Sequence, residues 1–313
     1  LLIMKRALVI GYGSIGKRHA GILSKFKKFD EIFILTTQKQ KKYKSISDVE
    51  EIKDINPSYI VIASTTNKHF KYLHYCEKNL SGKIILVEKP VFNKIQEFKI
   101  NNNIVYVGYN LRFHPIIQKI KKEINNENLF NVNIQNSSYL PNWRSNQDYS
   151  KTSSAKKVNG GGVLLDISHE LDFIQYLFGK YSIDYSFNKK ISRLNISTDD
   201  ILIMNGHIKI AAKKNIMLQV NLNFFSTINK RELYIDGEEK CLFADLINSK
   251  IKISNNKKQK NFSYKGKFID IINKTYIDMH KAAISHNEKI ICTYQDGIKI
   301  IKDIENIKKK RNK

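Results

Sequence analysis

The residues most able to do chemistry are the glycines of Gly11-Tyr12-Gly13-Ser14-Ile15-Gly16, the charged pair in Glu88-Lys89-Pro90, and His169 with the acids around it. The first set follows the apolar run Ala7 to Ile10 and opens the amphipathic stretch Ile15 to Phe26. In a strand-turn-helix setting Gly11 permits the tight turn, Gly13 lets the backbone approach a pyrophosphate, and Gly16 allows the helix to pack close to the sheet. Ser14 and Ile15 then head the helix, whose unpaired N–H groups and positive dipole end suit an anionic ligand. The chemistry implied is binding of a dinucleotide.

A carboxylate usually receives the ribose 2′-hydroxyl of NAD about 20 residues past such a loop. Here the second apolar run ends in Leu35-Thr36-Thr37-Gln38-Lys39, without an acid. Thr36 and Thr37 can donate to a 2′-phosphate, with Lys39, Lys41 and Lys42 close in sequence. The cofactor is therefore NADP or NAD, with a lean to NADP. Glu88-Lys89-Pro90 closes the apolar run Ile84 to Val87, which places Lys89 at the carboxyl end of a strand, where ligands bind in open α/β sheets.

The glycine loop, Glu88-Lys89-Pro90, Gly108-Tyr109-Asn110-Leu111-Arg112-Phe113, and the run from Gly160-Gly161-Gly162 through Asp166 and His169 to Asp172 occur in one order along the chain. In that order and spacing the chain resembles the Gfo/Idh/MocA (glucose-fructose oxidoreductase and inositol dehydrogenase) family. The resemblance implies an NAD(P)-dependent oxidoreductase acting on a sugar or nucleotide sugar. It gives Lys89 a place beside the nicotinamide and the substrate hydroxyl, and His169 the role of acid/base. Removing a proton from an alcohol oxygen while hydride leaves carbon needs a base and a nearby cation, and a histidine and a lysine supply them. Asp166, three residues before His169, or Asp172, three after it, is the candidate to orient the imidazole. Ser64, Thr65, His69, Glu88 and Asn110 fall on the cofactor side by the same resemblance, and Arg112 on the substrate side.

Trp143-Arg144-Ser145-Asn146-Gln147-Asp148-Tyr149 holds the chain's single tryptophan. A ring face for sugar C–H groups and a planar fork for anions make Trp143, Arg144, Asp148 and Tyr149 substrate-binding candidates. The stretch looks like family members encoded among surface-polysaccharide genes, which implies a role in surface glycan synthesis.

These residues require particular elements to hold them. Up to residue 115, short Ile- and Val-rich runs (Ala7 to Ile10, Ile32 to Leu35, Tyr59 to Ala63, Ile84 to Val87, Val105 to Val107) alternate with helical stretches at Ile15 to Phe26 and His69 to Lys78. That is a doubly wound parallel sheet of Rossmann type. Residues 116–313 read as a substrate-binding and oligomerisation domain of α+β class with a large, mostly antiparallel open sheet. Its strands are Phe130 to Tyr139, Ile201 to Ile210, Ile216 to Phe225, Arg231 to Ile235 and Lys250 to Ile253, with turn signals at Asn205-Gly206 and Asp236-Gly237. Helices are expected over Leu164 to Phe178, ended by Gly179, over Phe268 to Ser285, and over Asp296 to Lys309 with Asp296 as N-cap.

Composition excludes other classes. The 313 residues carry 54 Lys and Arg against 29 Asp and Glu, a net charge of +25, with 42% hydrophobic residues. The lysines are scattered through every segment instead of lining one element with stacking aromatics, so no nucleic-acid partner is expected. Lys308-Lys309-Lys310-Arg311 reads as a solvated tail. Cys76, Cys241 and Cys292 make neither a disulfide framework nor a Cys-x-x-Cys pair, which suits a cytoplasmic protein. No run is long enough to span a bilayer, Leu1-Leu2-Ile3 is too short for a signal-peptide core, and Met4 is a candidate start. His19, His74, His207, His280 and His286 show no metal-ligand spacing, so no metal is expected. His114, beside Arg112, is a candidate for contact with the active site. The competing functions are a reductase of a non-sugar ketone or imine and a non-catalytic dinucleotide sensor or scaffold. A homodimer or homotetramer is implied by the resemblance.

Overall fold

The computed structural model describes residues 5–125, 127–144, 146–211 and 214–310. The expectations placed on Leu1-Leu2-Ile3, Met4, Ser145 and Arg311 lie outside them. In chain order the elements are β1 (Arg6–Ile10), α1 (Ser14–Leu23), β2 (Glu31–Leu35), β3 (Lys44–Ile46), α2 (Ile52–Ile55), β4 (Tyr59–Ile62), α3 (His69–Asn79), β5 (Ile84–Val87) and β6 (Ile104–Val107). There follow α4 (Pro115–Glu123), β7 (Leu129–Tyr139), α5 (Val163–Asp166), α6 (His169–Phe178), β8 (Tyr181–Lys189), β9 (Ile201–Ala211), β10 (Lys214–Asn223) and β11 (Phe225–Gly237). The remainder is β12 (Cys241–Asp245), β13 (Lys250–Ser254), β14 (Gln259–Ser263), α7 (Phe268–Ile284), β15 (Cys292–Thr293) and α8 (Tyr294–Lys310).

The chain divides into two compact units, Leu1–Asn110 with Tyr276–Ile301, and Leu111–Thr275 with Lys302–Lys313. A linear reading cut once at 115 does not contain the return of Tyr276–Ile301 to the first unit. In that unit the sheet order is β15-β6-β5-β4-β1-β2-β3. All pairs are parallel except β15 with β6. Central strands are buried throughout, with Leu8, Val9, Ile60, Val61, Ile85 and Leu86 at 0% exposure, which is why they read as unbroken apolar runs. Because β1 lies between β2 and β4, strand order reverses there, and in open α/β sheets the carboxyl ends at such a point are where ligands bind.

The second unit is an eight-stranded sheet, order β14-β13-β12-β11-β7-β10-β9-β8, antiparallel except for β7 with β10. Alternation marks its strands: in β13, Ile251 and Ile253 are buried while Lys250 and Lys252 are exposed. Three local expectations are corrected. Asn205-Gly206 is no turn but lies inside β9, where a side chain on Gly206 would collide with the Ser182 carbonyl of β8 beside a register shift. The Leu164 to Phe178 helix is two helices, because Ile167 (φ −99°, ψ 25°) leaves helical geometry between α5 and α6. Asp296 is inside α8 and not its cap: its N–H donates to Thr293 Oγ1 at 3.2 Å. Among the described residues no helix is long and apolar enough to cross a membrane.

Candidate active site

The loop after β1 is shaped by its glycines. Gly11 has φ +99°, and a Cβ there would sit 2.7 Å from the Ala63 carbonyl oxygen and 2.8 Å from the Ser64 nitrogen. The loops leaving β1 and β4 therefore touch backbone to backbone. A Cβ on Gly16 would run into the Gly11 carbonyl, so the first turn of α1 folds directly against the turn before it. Gly13 differs: nothing lies within 4 Å of the position its Cβ would take. No side chain caps α1, whose first N–H groups face that open space. Gly13 and Ser14 are exposed and Ile15 is half-buried. An uncapped helix start fronted by a bare glycine fits the pyrophosphate of a dinucleotide.

At the end of β2, Thr36 is half-buried and its Oγ1 accepts from the Gln38 N–H at 3.1 Å, while Thr37 and Lys39 are exposed. The acid of this strand, Glu31, stands at the opposite end, paired with Arg6 at 3.0 Å and with Lys44. The β4 loop presents half-buried Ser64 and exposed Thr65. His69, 1% exposed, holds that loop to the next: its Nε2 is 3.1 Å from the Ser64 carbonyl oxygen and its Nδ1 3.1 Å from that of Pro90. Burial pushes its pKa down, so the ring is neutral and its single N–H serves one carbonyl at a time. His69 acts here as a clamp.

At the end of β5 the Lys89-Pro90 peptide is cis and Lys89 is half-buried. Glu88 is 7% exposed, accepts from the Lys89 N–H at 3.3 Å, and lies 2.8 Å from His19 Nε2. His19 Nδ1 is 2.9 Å from His280 Nε2, and His280 Nδ1 is 2.8 Å from the Tyr59 hydroxyl. The sequence reading missed this chain, since it sought metal spacing among the histidines. The available signal was position: His19 shares the buried face of α1 with Gly16, Ala20 and Leu23. Asn110, 3% exposed, follows β6, and a Cβ on neighbouring Gly108 would come 3.0 Å from Glu88 Oε1.

In the second unit the triple glycine positions α5. A side chain on Gly161 would collide with the Ser153 carbonyl, and one on Gly162 (φ +118°) with the Asp199 carboxylate. Asp199 Oδ2 accepts from the Leu164 N–H at 3.0 Å, capping the helix from a distant segment that the sequence reading did not single out. Asp166 ends α5 and His169 begins α6, both half-buried. They belong to two helices, so their three-residue spacing does not set them on one helical face. Glu170, fully buried, accepts from Asn136 Nδ2 at 2.6 Å and Arg231 Nε at 2.8 Å, fastening α6 to β7 and β11.

Arg112, 3% exposed, donates from Nη2 to Asp172 Oδ1 at 2.7 Å and from Nε to both carboxylate oxygens at 3.0 and 3.1 Å. Asp172 thus neutralises a buried guanidinium. Trp143, 41% exposed, donates to Ser138 Oγ at 3.0 Å and packs edge-on against Phe224. Arg144 is exposed and reaches Gln147. The Asp148 carboxylate caps the single 3-10 turn Tyr149–Lys151 through Ser150, and those hydrogen bonds hold its pKa down. The Tyr149 hydroxyl accepts from the Asn195 N–H. His114 caps α4 by accepting from the Ile116 N–H at 3.2 Å and is wholly buried. Among the described residues no three His, Cys, Asp or Glu side chains are grouped to hold a metal.

Residues 5–105 match the family model for the NAD-binding Rossmann fold of the Gfo/Idh/MocA oxidoreductases, and residues 121–313 match its C-terminal alpha/beta domain. Myo-inositol 2-dehydrogenase of Thermotoga maritima is 28% identical over 193 residues, 55% of this chain and 54% of that protein. Glucose-6-phosphate 3-dehydrogenase of Bacillus subtilis is 23% identical over 281 residues, 82% and 73% of the two chains. The chain spans about half the length of the first curated relatives it matches. Among solved structures, levoglucosan dehydrogenase in complex with NADH aligns with a TM-score of 0.79 at 16% identity, over 98% of this chain and 97% of that one. UDP-N-acetylglucosamine 3-dehydrogenase from Acidithiobacillus ferrooxidans aligns with a TM-score of 0.75 at 14% identity, over 99% and 98%. With both of its domain models matched in order across most of the sequence, the chain belongs to the Gfo/Idh/MocA oxidoreductase family.

Proposed function

We propose that the protein is an NAD(P)-dependent oxidoreductase that moves a hydride between the nicotinamide and a hydroxyl or carbonyl carbon of a sugar or nucleotide sugar. The observation that carries this reading is the carboxyl edge of the first sheet, where the uncapped start of α1, the open face of Gly13 and Lys89 all stand. Gly11, Gly13, Ser14, Ile15 and Gly16 hold the pyrophosphate; Thr36 and Thr37 meet the adenosine ribose; Ser64, Thr65, Glu88 and Asn110 serve the remaining cofactor contacts. The nicotinamide, when bound, accepts or supplies the hydride.

In the oxidising direction His169 takes the proton from the substrate oxygen. Lys89 lends positive charge to that oxygen as it becomes an alkoxide, which lowers the barrier in a way neither residue achieves alone. Asp166 orients the imidazole of His169, a role that acts on rate through its neighbour. Ring polyols named for the relatives support the substrate class: myo-inositol, glucose 6-phosphate, levoglucosan and UDP-N-acetylglucosamine. Exposed Trp143 and Arg144, with a ring face and an anion-binding fork, support a phosphate-bearing or nucleotide-linked sugar of the kind used in surface glycan synthesis. The same reading includes a cytoplasmic setting and a homodimer or homotetramer, supported by exposed Phe130, Met217 and Tyr234 on the second sheet.

The test is a set of substitutions. Lys89→Ala and His169→Ala are each expected to keep dinucleotide affinity and to lose on the order of 10² to 10⁴-fold in turnover. The double variant should be little worse than the poorer single one, because groups that act as a unit are not additive. Full turnover in His169→Ala on a sugar that the wild type oxidises would overturn the assignment.

A further inference from the structure

Four polar side chains lie in line in the interior of the first unit: Tyr59, His280, His19 and Glu88, exposed by 1, 0, 0 and 7%. Their successive contacts are 2.8, 2.9 and 2.8 Å. They come from β4, α7, α1 and the end of β5. Aromatic rings enclose them: Tyr276 meets His19 edge-on, Phe26 meets His280, and Phe29 stacks on Tyr59. A site of this kind is ordinarily filled by Leu and Phe, since burying hydroxyl and imidazole groups is unfavourable unless each is hydrogen-bonded.

Proton accounting fixes the end of the line at Glu88. An ionised carboxylate only accepts, so His19 Nε2 carries a proton and donates to Glu88. The contacts His19 Nδ1–His280 Nε2 and His280 Nδ1–Tyr59 hydroxyl continue the line from there. Each of the four ring nitrogens thus has one partner. Burial, then the neighbouring His19, pushes the pKa of His280 well below its ordinary value, and burial pushes that of Tyr59 well above. Tyr59 pairs with Ile84 at one end of the β4–β5 ladder, and Glu88 follows Val87 at the other, so the line runs about 13 Å along the strands at ~3.3 Å per residue. It ends on the carboxylate that accepts from the Lys89 N–H, beside Gly108, where an added Cβ would come 3.0 Å from Glu88 Oε1.

We propose that Tyr59, His280 and His19 are positioning residues: a buried hydrogen-bond line fixes the Glu88 carboxylate, and through it the Glu88-Lys89-Pro90 turn, in the orientation that receives the dinucleotide. This rests on the oxidoreductase reading above. Its alternative is a polar core that merely holds α1 and α7 to the sheet.

Substitutions separate the two. Tyr59→Phe removes only the terminal donor, and His280→Leu cuts the line with an apolar side chain. His280→Gln restores it, because one amide can accept from Tyr59 and donate to His19. In the full-length wild-type protein without dinucleotide, the ¹⁵N spectrum of His19 should report a proton on Nε2. NADP or NAD dissociation constants, read by nicotinamide fluorescence, should rise roughly tenfold in Tyr59→Phe and His280→Leu, the lower end of the scale on which supporting partners of a functional group act. His280→Gln should return to within about threefold of wild type on that scale. The proposal is overturned if His19 Nε2 carries no proton, or if His280→Gln and His280→Leu behave alike. Wild-type binding unchanged by all three substitutions overturns the line alone; failure of the wild type to bind either dinucleotide overturns the oxidoreductase reading, and the proposal with it.

Discussion

Two glycines of one loop separate binding from folding at the scale of a residue. Because a Cβ on Gly13 meets nothing, Gly13→Val should fold and yet lose dinucleotide affinity, its branched side chain occupying the ligand's space. Titration by nicotinamide fluorescence beside a circular dichroism melt checks both halves. Gly16→Ala should instead lower the melting temperature, since its methyl group meets the Gly11 carbonyl. The acids flanking His169 divide in the same manner. Asp172→Ala leaves the buried Arg112 guanidinium without its carboxylate and should cost about 3–5 kcal/mol in urea unfolding. Asp166→Asn should leave stability within about 1 kcal/mol of wild type and act on turnover, because the amide keeps the shape of a half-buried side chain and leaves no paired guanidinium stranded. Equal stability losses from both would remove the distinction drawn between them.

At the scale of an element, the end of β2 sets the choice of cofactor. Without a carboxylate beside Thr36 and Thr37, and with Lys39, Lys41 and Lys42 exposed nearby, NADP should bind more tightly than NAD. A dissociation constant for NAD tenfold below that for NADP, about 1.4 kcal/mol, would refute this. Strands and loops of the first unit were legible because β1, β2, β4, β5 and β6 are nearly continuous apolar runs, and the motif residues sit at their ends. Elements with a weaker pattern escaped notice: β14 (Gln259–Ser263) is almost wholly exposed, and β15 (Cys292–Thr293) is two residues long. The break between α5 and α6 was illegible because apolar spacing continues through Ile167, which is itself buried. Gly206 misled for a related reason: Asn-Gly signals a turn locally, but here the glycine answers to the neighbouring β8 backbone. Asp199 and Arg231 take their roles from contacts with α5 and α6 made from distant segments, which a single sequence does not display.

At the scale of the whole molecule, buried neutral histidines give stability a pH dependence. Burial and then the charge of Arg231 push the His114 pKa down from 6.5 to about 4, and burial lowers those of His69 and His280 as well. Groups whose folded pKa lies below the unfolded value contribute stability fully above pH 6.5 and lose it as pH falls, for His114 down to about 4. Asp303, pushed up to about 6 by burial, works in the opposite sense as pH rises from about 4. His114→Asn keeps a side-chain cap for α4 and removes the titration, so the difference in unfolding free energy between wild type and variant should shrink by at most about 3 kcal/mol between pH 6.5 and 4. A constant difference across that range would show that His114 does not titrate between the two states. The return of Tyr276–Ile301 to the first unit also has a consequence in time. His19 and His280 are 261 residues apart, and Tyr59 and His280 are 221 apart. During synthesis the nascent first unit must wait for nearly the entire second unit to leave the ribosome before β15 and His280 arrive. Its completion is thus among the last and most non-local events of folding, and premature release of the chain would leave the Glu88-Lys89-Pro90 turn unfinished even where every residue of the glycine loop is already in place.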